Sequence, residues 1–195
     1  MTLKIGLFLF NDVEVLDFSG PFEVFSTASR LCLCEGKSAP FQIVTFSANK
    51  PFITTHGGLK IIPNYVFENL PSLDILIIPG DVMTEPLSQP EVLSFLRERA
   101  SQVKILASVC TGVFMLAEAG LLNGKSVTTH WENLDDLRKY PNLKVLENVK
   151  FVEEKGLITS SGISAGIEMS LHLVKKLISF ALVQKTARQM EYGWI

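Results

Sequence analysis

Short, almost continuously apolar runs alternate with longer amphipathic runs along this chain, and this alternation limits the possible folds more than any other feature. Five apolar runs have the length of a strand: 3–10, 41–48, 73–80, 104–109 and 157–162. Helix-like runs lie between and after them, at 22–34, 90–102, 113–122, 131–140 and 164–192. Strands that are apolar on both faces are typical of a parallel sheet covered by helices. The sequence therefore predicts an α/β fold, a three-layer α/β/α sandwich with a mostly parallel central sheet and right-handed crossovers.

The chain has 195 residues, the size of one large domain, and a compact chain of this length buries roughly 70% of its unfolded surface. It contains no linker, repeat or low-complexity tract, so a single domain over residues 1–195 is predicted. Residues 144–156 are expected to add a short hairpin. No helix-turn-helix pattern follows the last helical run, so reading DNA would need another polypeptide.

The charge balance argues against several classes of partner. The formal net charge is -2, which provides no broad basic surface for direct nucleic-acid binding and no polybasic membrane anchor. The first apolar run ends at Asn11 and Asp12, and it is too short for a secretory signal or a membrane span. We expect no membrane partner.

The cysteines indicate a reducing compartment. The chain has three, and a sparse, odd set in a chain of this length does not suggest a disulfide framework. We therefore expect a cytoplasmic location. Cys32 and Cys34 are one residue apart, the wrong spacing for a redox pair and too few ligands for zinc, so both are interpreted as small apolar or loop residues.

The third cysteine, Cys110, stands where the run 104–109 meets a helix-like run, within "SVCTG". In hydrolases of this architecture the nucleophile occupies such a strand-to-helix turn, with small residues two before and two after it. Ser108 and Gly112 occupy those places. Cys110 is therefore a candidate nucleophile. The alternative is an inert cysteine packed under the start of a helix.

The neighbours of Cys110 support nucleophilic chemistry. Thr111 would offer its backbone N–H as one half of an oxyanion site. A helix starting near Val113 would place a positive dipole end beside the sulfur, and we expect it to favour the thiolate.

Other strand ends should converge on the same edge of the sheet. After the first strand, Asp17 could exchange a proton with the thiol, or it could cap a helix that begins near Pro21. After "LDILIIP", Gly80 permits close approach of the backbone, and Gly80 or Asp81 could donate the second oxyanion N–H. The alternative there is an ordinary Pro-Gly turn.

The histidines divide into one candidate and two structural residues. His130 lies in "TTHWEN" at a strand end, where it could assist Cys110 as a base or cap a helix. His56 and His172 are expected to be structural, because neither follows a predicted strand. No dinucleotide fingerprint, phosphate-binding loop or H-x-x-x-H pair is present, so neither a metal nor another cofactor is expected.

Three stretches together carry a family resemblance: "SVCTGVFMLAEAGLLNGKSVTTHW", "LDILIIPG" and "SSGISAGIEMSLHLV". The chain resembles the ThiJ/PfpI superfamily, whose fold is similar to that of class I glutamine amidotransferases and is flavodoxin-like. With "DFSGPFEVF", the C-T-G turn and T-T-H-W, it is similar to the isonitrile hydratase branch. The N-terminal domains of some AraC-type regulators share this signature. The resemblance covers nearly the whole chain.

The resemblance implies roles for particular residues. Cys110 would be the nucleophile and Asp17 its acidic partner, with the backbone N–H groups of Thr111 and Asp81 as the oxyanion site. Gly162 and Ile163 would line the pocket with Gly80 and His130. The implied activity is cofactor-free conversion of an isocyanide to an N-formamide by a homodimer, acting on a small molecule as a hydratase or related lyase.

Two departures separate the chain from other branches of the superfamily. Thr111 stands where the peptidase-like branch has His, and Asp17 stands where the glyoxalase-like branch has Glu. Asp81 replaces a second Gly that the superfamily usually carries. The alternatives left open are a ligand-binding or redox-sensing domain without turnover and a Cys-His amidase.

Overall fold

The computed structural model describes residues 2–194, in which a seven-stranded sheet is flanked by helices on both faces. The strands are β1 Leu3–Phe8, β2 Phe41–Ser47, β3 Ile53–Thr54, β4 Lys60–Ile61, β5 Tyr65–Val66, β6 Ile75–Ile78, β7 Ile105–Val109, β8 Ser126–Val127, β9 Lys144–Val145, β10 Phe151–Glu154 and β11 Leu157–Ser160. The helices are α1 Val15–Cys34, α2 Thr84–Leu87, α3 Pro90–Ala100, α4 Val113–Glu118, α5 Leu134–Leu137, α6 Ala165–Leu177 and α7 Phe180–Gln189. Three short 3₁₀ turns span Phe67–Asn69, Cys110–Gly112 and Trp131–Asn133. The predicted α/β architecture is confirmed.

The main sheet has the strand order β10-β11-β7-β6-β1-β2-β5. All its neighbours are parallel except β10 and β11, which form an antiparallel hairpin at one edge. All five predicted strands belong to this sheet. Because β1, β6, β7 and β11 are parallel, their carboxyl ends lie along one edge, as expected for a site in this type of fold.

Alternate residues of the central strands pack into two separate cores. In β6, Ile75 and Ile77 pack in the core that includes Phe25 of α1 and Met169 of α6. Leu76 and Ile78 belong to the opposite core, with α3 and α4. This two-sided burial explains the nearly continuous apolar runs, since each fully buried aliphatic side chain contributes roughly 1.5–3 kcal/mol.

Helix α1 begins earlier than the sequence predicts, at Val15 instead of residue 22, and it continues through Pro21. Glu14 caps it by accepting a hydrogen bond from the Leu16 N–H at 3.4 Å. The idea that Asp17 caps a helix starting near Pro21 is therefore wrong. Burial of the apolar Phe18 side chain in the first turns favours this early start despite the low helix propensity of proline.

Two C-terminal features also differ from the prediction. The single helical run 164–192 is divided into α6 and α7, and Ser179 caps α7 by accepting from the Leu182 N–H at 3.1 Å. The expected hairpin pairs β10 with β11, not two strands within 144–156. Among residues 2–194, no helix combines the length and hydropathy required to cross a membrane.

Candidate active site

Cys110 follows β7 directly and adopts a left-handed backbone conformation, with φ of 55°. Any residue other than glycine is strained in this conformation. Such strained residues are often found at functional sites. The turn also needs Gly112, because a Cβ atom there would lie 2.2 Å from the carbonyl oxygen of Ile78. This close approach gives Gly112 the steric role that the sequence predicts for the residue two places after the nucleophile.

The Cys110 side chain lies at the base of a cavity of about 270 Å³ and is itself mostly buried, with 7% of the residue exposed. Burial and the nearby Asp17 carboxylate raise the pKa of the thiol to about 12. The backbone N–H groups of Thr111 and Ile163 act in the opposite direction, but they do not compensate. Burial and the Asp17 carboxylate therefore oppose the thiolate that, on the sequence alone, the start of the helix is expected to favour.

Asp17 is fully buried in the first turn of α1, beside the thiol. Its Oδ2 accepts a hydrogen bond from the Gly80 N–H at 2.9 Å. Its buried Oδ1 has no hydrogen-bond partner among residues 2–194. Burial raises the pKa of this carboxyl group to about 7, an effect that the Gly80 N–H and the Cys110 thiol reduce. Asp17 is therefore poised to take up or release a proton near neutral pH.

Thr111 and Asp81 connect the loops that follow β7 and β6. The Asp81 N–H donates to Thr111 Oγ1 at 2.7 Å, and that hydroxyl donates to the Asp81 carbonyl at 2.9 Å. The loops are so close that a Cβ on Gly80 would lie 2.5 Å from Thr111 Oγ1. The Asp81 N–H thus donates to the Thr111 hydroxyl group. The backbone N–H groups at the Cys110 sulfur belong to Thr111 and Ile163, and the sequence interpretation did not identify the one from Ile163.

His130 and Ile163 line the cavity together with Cys110. The His130 Nδ1 accepts from the Glu132 N–H at 3.4 Å, so His130 caps the short turn that follows it. Its ring lies over Gly162, where a Cβ would be 2.0 Å from Cδ2. A second, adjoining cavity of about 420 Å³ shares His130 and Ile163 and is also lined by Gly162.

The expected site residues thus gather at one edge of the sheet, although not all of them line a cavity. Gly80 lies beneath the loops and lines neither cavity, while Asp81 lines the first one. Glu14 and Glu132 also line it. The sequence places Glu14 in the loop after the first strand but assigns neither residue a role. The only sequence signals for a place in the cavity wall were the capping position of Glu14 before α1 and the position of Glu132 two residues after His130.

The remaining histidines and cysteines have other positions. His56 lies at the rim, with its Nδ1 3.1 Å from Asp81 Oδ2, whereas His172 contacts Glu153 at 2.8 Å on α6. Cys32 and Cys34 both lie in α1, one buried and one exposed, and all three cysteines are free.

In the part of the chain that the structure describes, no group of three or more His, Cys, Asp or Glu side chains is arranged to hold a metal ion.

Comparison with known families shows which group of proteins shares this arrangement. Residues 3–176 match the DJ-1/PfpI family. The chain belongs to the DJ-1/PfpI family. This membership confirms the resemblance of the sequence to the ThiJ/PfpI superfamily.

Among curated DJ-1/PfpI relatives, isonitrile hydratase of Pseudomonas putida is 35% identical over 99% of this chain and 80% of its own length. The HTH-type transcriptional regulator GbdR of Pseudomonas aeruginosa is 30% identical over 88% of this chain. This chain spans only 46% of that regulator.

Solved structures share the fold of this DJ-1/PfpI protein. A ThiJ/PfpI family protein from Pseudomonas syringae superposes with a TM-score of 0.87 at 26% identity, covering 100% of this chain and 77% of its own. An AraC family transcriptional regulator from Pseudomonas putida gives 0.84 at 21% identity, covering 96% of this chain and 98% of its own.

Proposed function

We propose that this protein hydrates an isocyanide to an N-substituted formamide, with Cys110 as nucleophile and Asp17 as the group that moves the protons. The observation that carries the proposal is the strained thiol at the base of a cavity, in contact with a buried carboxyl group whose pKa is raised to about 7. Isonitrile hydratase of Pseudomonas putida, 35% identical over almost the whole chain, supports the choice of reaction.

In the first step, Asp17 takes the proton of the Cys110 thiol while the sulfur attacks the terminal carbon of the isocyanide. The C–S bond forms, and the carbon receives a proton from Asp17. The product is a thioimidate, in which the former isocyanide carbon carries one hydrogen, the sulfur and a C=N double bond. A carboxyl group with a pKa near the working pH suits both halves of this transfer.

In the second step, water adds to the thioimidate carbon, with one proton passing to nitrogen and the hydroxyl group remaining on carbon. The C–S bond then breaks, the hydroxyl group becomes the formyl C=O, and its proton returns to the sulfur through Asp17. The net reaction adds one water to one isocyanide. The N–H groups of Thr111 and Ile163, which oppose the high pKa of the thiol, would stabilise negative charge on the departing sulfur.

The test is formamide formation from a small alkyl isocyanide by wild type, Cys110→Ala and Cys34→Ala. Cys34 is exposed in α1 and serves as the matched control. The proposal predicts turnover by wild type and Cys34→Ala and none above background by Cys110→Ala. Absence of turnover by wild type with several isocyanides would refute it.

A ligand-sensing domain without turnover is the second candidate. The burial of Cys110, which raises the pKa of its thiol, favours it, and so does the 30% identity with the transcriptional regulator GbdR. A sensor should show ligand-induced thermal stabilisation that survives Cys110→Ala. If Cys110 instead senses oxidants, mild peroxide should modify it before Cys32 and Cys34.

We further propose that residues 1–195 act as one domain, which forms a homodimer in the cytoplasm. Large apolar side chains at the surface, including Phe52, Leu59 and Ile62, are consistent with an interface between two copies. Sedimentation equilibrium would test the assembly, since a monomer at micromolar concentration would contradict it.

A further inference from the structure

The first cavity is surrounded by acidic groups. Besides Cys110 it is lined by Glu14, Asp81 and Glu132, and the remaining lining residues are Thr111, His130, Asn133 and Ile163. Among the residues that the structure describes, no lysine or arginine lines this cavity. The carboxylates come from three different loops, so their convergence depends on the tertiary fold.

The interactions of these carboxylates leave much of their charge uncompensated. Glu14 accepts a hydrogen bond from the Leu16 N–H, which carries no full charge. Asp81 and Glu132 face histidines, with Nδ1–oxygen distances of 3.1 Å for His56 and 3.6 Å for His130. Among residues 2–194, no lysine or arginine forms an ion pair with Glu14, Asp81 or Glu132, whose only such partners are these two histidines.

The negative potential reaches the reacting groups. Glu14 and Asp81 both raise the pKa of Asp17, in addition to the larger effect of burial. Burial raises the pKa of Asp81, and Glu14 and Asp12 raise it further, whereas His56 acts in the opposite direction. The acidic residues of the cavity wall thus change the pKa of Asp17, the carboxyl group that contacts Cys110.

The adjoining cavity offers space without adding net charge. It is lined by one carboxylate, Glu147, and one ammonium group, Lys150. Trp131, Leu134 and Val149 add apolar surface, and Trp131 is largely exposed. The substituent of the electrophile, which in an isocyanide is attached to nitrogen, could extend from Cys110 past His130 and Ile163 into this space, since both residues line the two cavities.

We infer that the site admits electrophiles with neutral or, preferentially, cationic substituents and rejects those that carry a carboxylate or sulfonate, and that Glu14, Asp81 and Glu132 determine this selectivity. A cleft lined by one sign of charge concentrates ligands of the opposite sign and repels ligands of the same sign. For the hydration reaction, the inference rests on the proposed function. The charge selectivity of access to Cys110 can be tested without it.

The first experiment measures access to Cys110 with three methanethiosulfonate reagents of similar size, which carry a trimethylammonium group, no charge or a sulfonate. Peptide mass spectrometry follows modification of Cys110 and of exposed Cys34 in the same sample, so that Cys34 corrects for the intrinsic reactivity of each reagent. At low ionic strength and pH 8, we expect the corrected cation-to-anion rate ratio at Cys110 to exceed 10. The ratio should fall in 0.5 M salt because the ions screen the carboxylates.

Matched variants test which residues cause the preference. The double variant Glu14→Gln/Glu132→Gln should lower the ratio at least threefold. Glu98→Gln, on α3 and outside both cavities, should leave it unchanged. A corrected ratio near 1 in wild type, or a ratio that the double variant does not change, would overturn the inference. Failure of all three reagents to modify Cys110 would also overturn it, because the cavity would then not admit ligands to the thiol.

The second experiment compares kcat/KM for three isocyanides of equal chain length that end in a dimethylammonium, methyl or carboxylate group. We expect the order cationic, neutral, anionic, with at least tenfold between the extremes at low salt. An equal or inverted order would overturn the inference while leaving the proposed hydration intact. If no isocyanide is hydrated but the reagents show the predicted preference, the proposed function fails and the charge selectivity stands.

Discussion

Asp17 contacts Cys110 beside the loop that follows β6. β6 lies between β1, which precedes Asp17 in the chain, and β7, which precedes Cys110, and hydrogen bonds join the loop after β6 to both sides. The Gly80 N–H binds Asp17 Oδ2 at 2.9 Å, while the next residue, Asp81, exchanges two hydrogen bonds with Thr111, the neighbour of Cys110. Strand order β7-β6-β1 therefore brings the segment that follows β1 close to Cys110. Asp17, Cys110 and this intervening loop form one buried unit.

The proposed role of Asp17 in proton transfer predicts that Asp17→Asn has opposite effects on two reactions. Hydration should slow by about 10²–10⁴-fold, since the amide cannot accept the thiol proton. Alkylation of Cys110 by iodoacetamide at pH 8 should become faster, because the Asp17 carboxylate contributes to the raised pKa of the thiol. Formamide assays and peptide mass spectrometry would measure the two rates. A parallel loss of both would indicate a damaged site.

The burial of Asp17 also predicts a pH dependence of stability. Its pKa is about 7 in the fold, against 3.8 for a freely solvated group, a difference that corresponds to roughly 4 kcal/mol. Because the folded-state pKa is raised, the fold prefers the protonated form. This stabilisation is complete below about pH 4 and is lost as the pH rises through about 7.

The Asp17→Asn variant should therefore gain stability relative to wild type between pH 4 and pH 8, by up to about 4 kcal/mol. The asparagine oxygen can still accept from the Gly80 N–H, so the fold should persist. Urea unfolding of both proteins across this range gives the difference in free energy of unfolding. A difference that does not vary with pH would contradict the buried state of the Asp17 carboxyl group.

The turn at Cys110 predicts that Gly112→Ala is strongly destabilising. The added Cβ would meet the Ile78 carbonyl oxygen at 2.2 Å, and backbone atoms cannot rotate away. We expect a loss of about 3 kcal/mol or more in the free energy of unfolding. Gly57→Ala is the control, because nothing lies within 4 Å of its added Cβ, and it should change stability by less than about 0.5 kcal/mol. Similar stabilities of the two variants would contradict the close packing of the turn.

The Thr111 hydroxyl should matter for stability because it makes two hydrogen bonds with Asp81. Thr111→Val removes both and leaves buried polar backbone groups unpaired, so we expect a loss of about 1–3 kcal/mol. Thr111→Ser keeps the hydroxyl and should retain most of the stability. Thermal unfolding would rank the proteins, and a loss in Thr111→Ser as large as or larger than that in Thr111→Val would contradict the dominant role of the hydroxyl group.

The central strands were predictable because each is buried on both faces, which leaves a continuous apolar run in the sequence. The edge strand β5 has only two residues, Tyr65–Val66, and neither is fully buried, so its pattern is too weak to recognise. The start of α1 was missed because Pro21 suggests a helix boundary, whereas the Glu14 cap and the buried Phe18 side chain place the start at Val15.

The candidate site was predictable in its residues and not in its electrostatics. The small residues around Cys110 and the positions at strand ends indicated which groups would meet. The pKa of the Cys110 thiol depends on how deeply the fold buries the side chain and on how close Asp17 lies to it. Both depend on tertiary packing, which the local sequence does not reveal. The same is true of Glu14 and Glu132, which reach the cavity from separate loops.

The most direct test of the account is detection of the covalent intermediate on Cys110. Rapid acid quenching during turnover, followed by peptide mass spectrometry, should reveal an adduct with the mass of one isocyanide. It should appear on the peptide containing Cys110 and be absent from the peptide containing Cys32 and Cys34. Formation of the formamide at the wild-type rate by Cys110→Ala, with no adduct on wild-type Cys110, would contradict the account.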